Sequence, residues 1–180
     1  MADTVNNIEL DFEIDKLTHS LEDVKTGEIL ETAVLSLDKD DLQTITKKNG
    51  WKFNWKSEFA DIEKQVHKLV LQQLPTEIQG LICFEIMTDH IFMSLIETAP
   101  HNFGSEKRYY GVLGNLVAFC CKTSFEKGFE GEIGFDSKTQ LINHYIKELG
   151  ARHFGGQRMV VWTDAATKLV QQYYPDFFNN

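Results

Sequence analysis

The sequence predicts an α/β (α+β) domain, a single mixed sheet with helices on its faces, and three features carry that expectation. Two adjacent runs, Ile78 to Met87 and His90 to Ala99, are apolar almost throughout and are separated only by Thr88-Asp89, so they read as a tight hairpin of two central strands. After them, strand-like and helix-like segments alternate, an order that implies a right-handed crossover and a locally parallel strand pair. No internal repeat, low-complexity block or Pro/Gly-rich linker breaks the chain, and 180 residues that are 42% hydrophobic and 12% aromatic suffice for a packed core. Residues 1–50 read as an N-terminal extension, a hairpin plus a short helix, packed on a main domain of residues 51–180.

Met1 to Asp15 is acidic, with Leu10, Phe12 and Ile14 alternating against charge, a pattern that fits either a frayed strand or a tail. Lys25-Thr26-Gly27-Glu28 is a turn signal inside a hairpin spanning Lys16 to Leu37. Asp38 offers an N-cap to a short helix from Lys39 to Lys47, and Asn49-Gly50 ends it. Trp51, Phe53 and Trp55 alternate as a strand with three rings on one face. From Ser57 the positions of Phe59, Ile62, Val66, Leu69 and Val70 suit an amphipathic helix, with His67 at the edge of its apolar face as a packing residue.

Beyond the central hairpin, a helix from about Asn115 buries Leu116, Val117, Phe119 and Cys120 and is closed by Gly128. Phe129 to Phe135 alternates as a strand, and Asp136 or Ser137 caps a helix carrying Leu141, Ile142, Tyr145, Ile146 and Leu149 that stops at Gly150. Gln157 to Trp162 is a further strand, followed by a last helix from Ala165 to Tyr174 that Pro175 terminates.

Charge and cysteine usage narrow the function classes. A net charge of −9 and a pI near 5.1 argue against a nucleic-acid binder, which needs a concentrated basic face, and mildly favour cationic partners. Cys83, Cys120 and Cys121 are odd in number, lie in apolar runs and form no C-x-x-C pattern, so they read as buried thiols of a reducing compartment. No stretch reaches the roughly 18 apolar residues that a bilayer span requires, and no signal peptide is apparent. A cytoplasmic protein without membrane contact is expected. The six histidines are scattered without ligand spacing, so no metal is expected.

The stretch most like a site is Lys107 to Lys122, K-R-Y-Y-G-V-L-G-N-L-V-A-F-C-C-K. Gly111 and Gly114 at the entrance to a helix allow a sharp turn that aims unbonded N–H groups at one point, and the positive end of the helix dipole adds to the pull on an anion. Arg108 supplies a bidentate cation and Asn115 an N-cap or further donor. Phosphate is the natural ligand of such a turn.

This stretch resembles the acetyl-CoA loop of the GNAT superfamily of N-acetyltransferases, Arg/Gln-x-x-Gly-x-Gly/Ala followed by a helix, with Arg108, Gly111 and Leu116 in register and Leu113 where the family has Gly or Ala. The resemblance covers roughly Trp51 to Trp162. It implies a divergent member with a centrally splayed sheet, in which the strand ending at Glu97-Thr98-Ala99-Pro100 parts from the next so that a pantetheine arm slips between them. It implies acetyl-CoA or another acyl-CoA as co-substrate, direct transfer to an amine of a small molecule or protein, and compatibility with a homodimer. The cofactor residues it implies are Arg108, Tyr109, Tyr110, Gly111, Val112, Leu113, Gly114 and Asn115. An ammonium acceptor of pKa near 10.4 must lose a proton at a cost of about 4–5 kcal/mol at pH 7, and Glu97 is the candidate to accept it. Tyr145, close to Leu149-Gly150, is the candidate to protonate the leaving thiolate. The alternative is a GNAT-like fold without catalysis that serves as a binding module. Two departures stand out: Leu113, and a single C-terminal strand plus helix where the family has two strands.

Overall fold

Long apolar strands with both faces covered dominate the structure, a computed structural model that describes residues 9–179. The strands are β1 (Leu21–Asp23), β2 (Ile29–Leu30), β3 (Thr32–Ser36), β4 (Gln65–Leu71), β5 (Leu74–Ile86), β6 (Ile91–Thr98), β7 (Tyr109–Tyr110), β8 (Ile133–Asp136), β9 (Arg152–Gly155) and β10 (Arg158–Val161). The helices are α1 (Trp55–Ala60), α2 (Val112–Glu126), α3 (Ile142–Leu149) and α4 (Thr163–Tyr173). The large sheet runs β3-β4-β5-β6-β8-β10-β9, and β2-β1-β7 form a small one. Among the described residues every neighbouring pair of these strands is antiparallel except β6 and β8, which are parallel and paired at Ile91–Ile133 and Phe92–Gly134. Past Phe92 the sheet is splayed.

Period-two alternation along β5 assigns the two faces. Ile82 and Phe84 point to a core shared with Leu116, Val117 and Cys120 of α2 and Val170 of α4. Leu81 and Cys83 point to the other core, with Leu95, Ile45, Trp51 and Trp55. Helices and short turns thus cover both faces of a mixed sheet.

Several expectations need correction. Trp51–Trp55 is not a strand: Asn54 caps α1, its side chain accepting the Ser57 N–H at 3.1 Å, and Trp51 and Trp55 roof the second core from a loop and a helix start. The long helix read from Ser57 to Val70 stops at Ala60, and residues 65–71 are strand β4. Val66 faces one core while Leu69 and Leu71 face the other, a two-sided burial that satisfies a central strand as well as a helix and makes the spacing ambiguous. The helix expected from Lys39 to Lys47 is two 3-10 turns, Asp40–Gln43 and Lys47–Asn49. Two strands, β9 and β10, stand where one is expected, and the last helix, α4, follows them as expected.

The boundary at residue 50 also misplaces the first part of the chain. β3 is the edge of the large sheet, paired along its length with β4, and Leu10, Phe12 and Ile14 are buried in the first core. Of the acidic segment read as strand or tail, residues 1–8 lie outside the described residues.

His67 in β4 stacks on Phe84 with centroids 5.3 Å apart and planes 8° from parallel, and its buried Nδ1 has no hydrogen-bond partner. Burial holds its pKa below the ordinary 6.5, and burial does the same to His101. The folded state therefore binds a proton less readily than the unfolded one, so the stability these rings contribute is present above pH 6.5 and is lost as pH falls below it. Urea midpoints measured from about pH 7.5 down to about 5.5 should fall across that window, and His67→Phe should flatten part of the slope; an unchanged slope in the variant excludes His67 as its source.

Candidate functional site

The turn into α2 determines what can face the splay. Gly111 adopts φ +91°, and a Cβ there would fall on the Thr18 hydroxyl, so only glycine fits. The first helical amide with a carbonyl one turn back is Asn115, bonded to Gly111 O at 3.0 Å. The amides of Val112, Leu113 and Gly114 have no intrahelical acceptor, by the geometry of any helix start. With the Gly111 N–H they are the amide donors of this helix start, and of these the Gly111 N–H meets an anion, the Asp15 carboxylate.

Through Leu113 the helix start reaches a 490 Å³ pocket at the mouth of the splay, lined also by Thr98 at the end of β6 and Leu141 ahead of α3. The extended segment Leu10–Asp15 runs through the gap. On the β8 side, Leu10 N–H donates to Asp136 O at 2.7 Å and Lys138 N–H donates to Leu10 O at 3.2 Å, a parallel bridge with Ser137. The Tyr145 hydroxyl donates to Phe12 O at 2.5 Å, and Ile14 N–H donates to Nε2 of His144 at 2.8 Å. At the far end the Asp15 carboxylate accepts Gly111 N–H at 3.2 Å through Oδ1 and Lys107 Nζ at 3.1 Å through Oδ2. Leu10, Phe12 and Ile14 are 3%, 7% and 5% exposed.

The structure gathers only some of the expected residues here. Gly111 and Leu113 border the gap, and Tyr145 reaches into it from α3. Burial first, and then the charge of Asp11, push the Tyr145 phenol well above its ordinary pKa of 10.0, so it stays protonated and keeps the proton it donates to Phe12 O. Arg108 points elsewhere, pairing with Glu77 at 3.0 Å and with the Tyr109 hydroxyl at 3.3 Å. Tyr109 and Tyr110 are β7, hydrogen bonded to β1, and Val112 packs where a Cβ on Gly80 would sit. Asn115 is not the N-cap; it lies inside the helix, buried, with Nδ2 unpartnered. Gly114 stands in the first turn against α4, where a Cβ would come within 2.5 Å of the Tyr173 hydroxyl and 2.9 Å of Leu17. Its reason is helix packing.

Glu97 is 2% exposed and accepts three donors: Lys52 N–H at 2.7 Å, Trp55 Nε1–H at 2.7 Å and Phe53 N–H at 3.4 Å. It fastens the Lys52–Trp55 loop to the end of β6 and also lines a small 80 Å³ pocket with Phe12 and Thr98. Sequence reasoning overlooked Lys107, Asp15 and the buried pair Gln79 and Asn102. Asn102 donates through Nδ2 to Gln79 O at 3.1 Å and to Gln79 Oε1 at 2.9 Å, and its Oδ1 accepts Tyr109 N–H at 3.2 Å, which pins the loop ahead of α2. The alternation of Leu10, Phe12 and Ile14 was the available signal for the segment in the gap. Among the described residues no cluster of three or more metal-ligating side chains occurs, and no helix is long and apolar enough to cross a membrane.

Solved structures similar to this chain include N-acetyltransferases. The Vibrio cholerae spermidine/spermine N-acetyltransferase SpeG, in mutant forms with glutamate replaced by glutamine, matches with a TM-score of 0.56 at 14% identity, over 77% of this chain and 97% of that one. The same organism's spermidine N-acetyltransferase in complex with CoA and spermine gives 0.52 at 14% identity, over 76% and 98% of the two chains. The chain has the GNAT fold. No family model and no curated protein sequence matches it. A KacTA–DNA complex shares the GNAT-like architecture at a TM-score of 0.50 and 10% identity, over 77% of this chain and 98% of that one. The parting of β6 from β8 is the central splay expected from the sequence.

Two substitutions test these assignments. Gly114→Ala gains about 1 kcal/mol of helix propensity but overpacks Tyr173 and Leu17 at about 1–3 kcal/mol, so urea unfolding should show a net loss; a stabilised variant would mean that Tyr173 yields freely. Glu97→Gln keeps the shape but sets an NH₂ against one of three donors, and should cost about 1.5–3 kcal/mol of stability, since hydrogen bonds to a charged group are at stake. A Gln variant of unchanged stability would remove Glu97 as the loop's anchor.

Proposed function

We propose that the protein is an acyl-CoA-dependent N-acyltransferase that transfers an acetyl group directly to an amine of a small molecule or protein. The observation that carries this assignment is the splay itself, a gap between two parallel strands with a helix N-terminus and its free amides at one end and a buried tyrosine at the other. The match to a GNAT structure holding CoA and spermine supports it. Acyl-CoA supplies the activated thioester. A carboxylate already sits on the Gly111 amide and on Lys107, so these groups accept an oxyanion, as a pyrophosphate cradle must.

The residues of this chain would divide the chemistry between the two ends of the gap. The amides at Gly111 to Gly114, with Lys107, hold the pyrophosphate, while Leu113 and Thr98 flank the pantetheine path. Tyr145, kept protonated by burial, donates to the leaving sulfur as the bond to the acyl carbon breaks. The attacking amine forms the new C–N bond and gives up one proton, and Glu97, the buried carboxylate of the adjoining small pocket, is proposed to receive it through water. Arg108 takes no direct part, being turned toward Glu77.

A second reading, a binding module without catalysis, is favoured by one observation: the Tyr145 hydroxyl is spent on Phe12 O and the gap is filled by the chain. Thiol release from acetyl-CoA, followed against a panel that includes spermidine, spermine and a lysine peptide, separates the two. Amine-dependent release that falls about tenfold or more in Tyr145→Phe is expected of the enzyme. Binding of CoA without release on any amine would favour the module.

A further inference from the structure

Resting on the acyltransferase assignment, we infer that residues 10–15 are a built-in occupant of the acyl-CoA slot, with Asp15 in the place of the pyrophosphate, and that acyl-CoA enters by displacing them. The segment lies where β6 and β8 stop pairing, and it is held there by few bonds. Its backbone makes two hydrogen bonds to the β8 end, at Asp136 and Lys138, and among the described residues none to β6. The remaining main-chain contacts go to side chains, Tyr145 and His144. β5, by comparison, pairs on both edges along most of its length.

The chemistry of the segment matches what it excludes. It is an extended, amide-bearing chain with apolar groups inward, ended by an anion on the donor array of α2, which also describes a pantetheine arm ended by phosphates. Two of its carboxylates are paired with lysines at the mouth, Asp15 with Lys107 at 3.1 Å and Asp11 with Lys138 at 2.6 Å. Withdrawal of the segment therefore frees, in one step, the Gly111 amide, two lysines and the Tyr145 hydroxyl. A phosphate-bearing ligand takes over those partners. Occupation by the segment lowers the apparent affinity by the fraction of molecules in which the slot is open, so anything that weakens docking must tighten CoA binding. A purely structural strand would behave in the opposite way, since loosening it would damage the site.

The test uses the full chain and CoA, with calorimetric titration of the parent, Asp15→Asn and Phe12→Ala and with hydrogen exchange at single-amide resolution. Both variants should bind CoA about tenfold or more tightly than the parent, and saturating CoA should speed exchange of the Leu10 and Ile14 amides in the parent. Should Phe12→Ala fail to fold, Asp15→Asn, a change at the rim, carries the comparison alone. Equal affinity of parent and variants, with exchange at Leu10 and Ile14 unchanged or slowed by CoA, overturns the inference and leaves the acyltransferase assignment standing. Absence of CoA binding by parent and variants alike overturns both.

Discussion

The parting of β6 from β8 is the constraint around which the rest is arranged. A parallel pair needs a long crossover, here the loop after β6 followed by α2, and that crossover delivers a helix N-terminus to the point where the strands diverge. Divergence also leaves main-chain donors and acceptors on the facing edges and opens the first core to solvent, neither of which a folded chain tolerates without a partner. Something must lie in the gap. In the structure it is the chain's own residues 10–15, whose apolar side chains complete the core and whose Leu10 satisfies the exposed end of β8.

Electrostatics at the mouth follow from the same geometry. The protein is acidic overall, yet Lys16, Lys52, Lys107 and Lys138 gather around the segment: Lys107 and Lys138 pair with its carboxylates, Lys16 lies over the Tyr110 ring and Lys52 over Phe103 at 3.7 Å. Such rim pairs add little stability, because exposed charges interact weakly in water. Their effect is on register and, in the proposed exchange, on what could replace the segment. A neutral or cationic competitor would strand the lysines, whereas an anion of similar reach keeps them matched.

How much of this was legible in the sequence depended on where burial is one-sided. The hairpin β5–β6, the helix carrying Tyr145 and the entry to α2 could be read because turn residues bracket each segment and the apolar period is clear. Residues 51–71 were misread because their apolar residues serve two cores at once: Trp51, Trp55 and Val66 belong to one and Leu69 and Leu71 to the other, so no single period describes them. Glu97 was visible as a carboxylate at a strand end, but its three donors come from residues 42–45 positions earlier and could not be seen in any local window. Arg108 occupied the right place in the motif, yet the side chain follows Glu77, and Lys107, its neighbour, faces the mouth instead.

Leu113 is where core packing and the proposed acyl-CoA slot meet. In the resembled loop this position is small, because the backbone must come close to a pyrophosphate. Here Leu113 is 3% exposed, forms part of the first core and lines the pocket beside the segment. An apolar side chain there is costly against phosphate but well matched to a wall that faces a polypeptide with Phe12 and Ile14 turned inward. Gly114, which could have been thought to compensate, is already required by Tyr173 and Leu17 on the opposite side of the helix. Leu113 is thus consistent with a slot shaped for two occupants in turn. In the proposed exchange, phosphate would be held by the amides of the helix start and Lys107, while the Leu113 side chain is part of the apolar wall along the extended chain that lies between the strands.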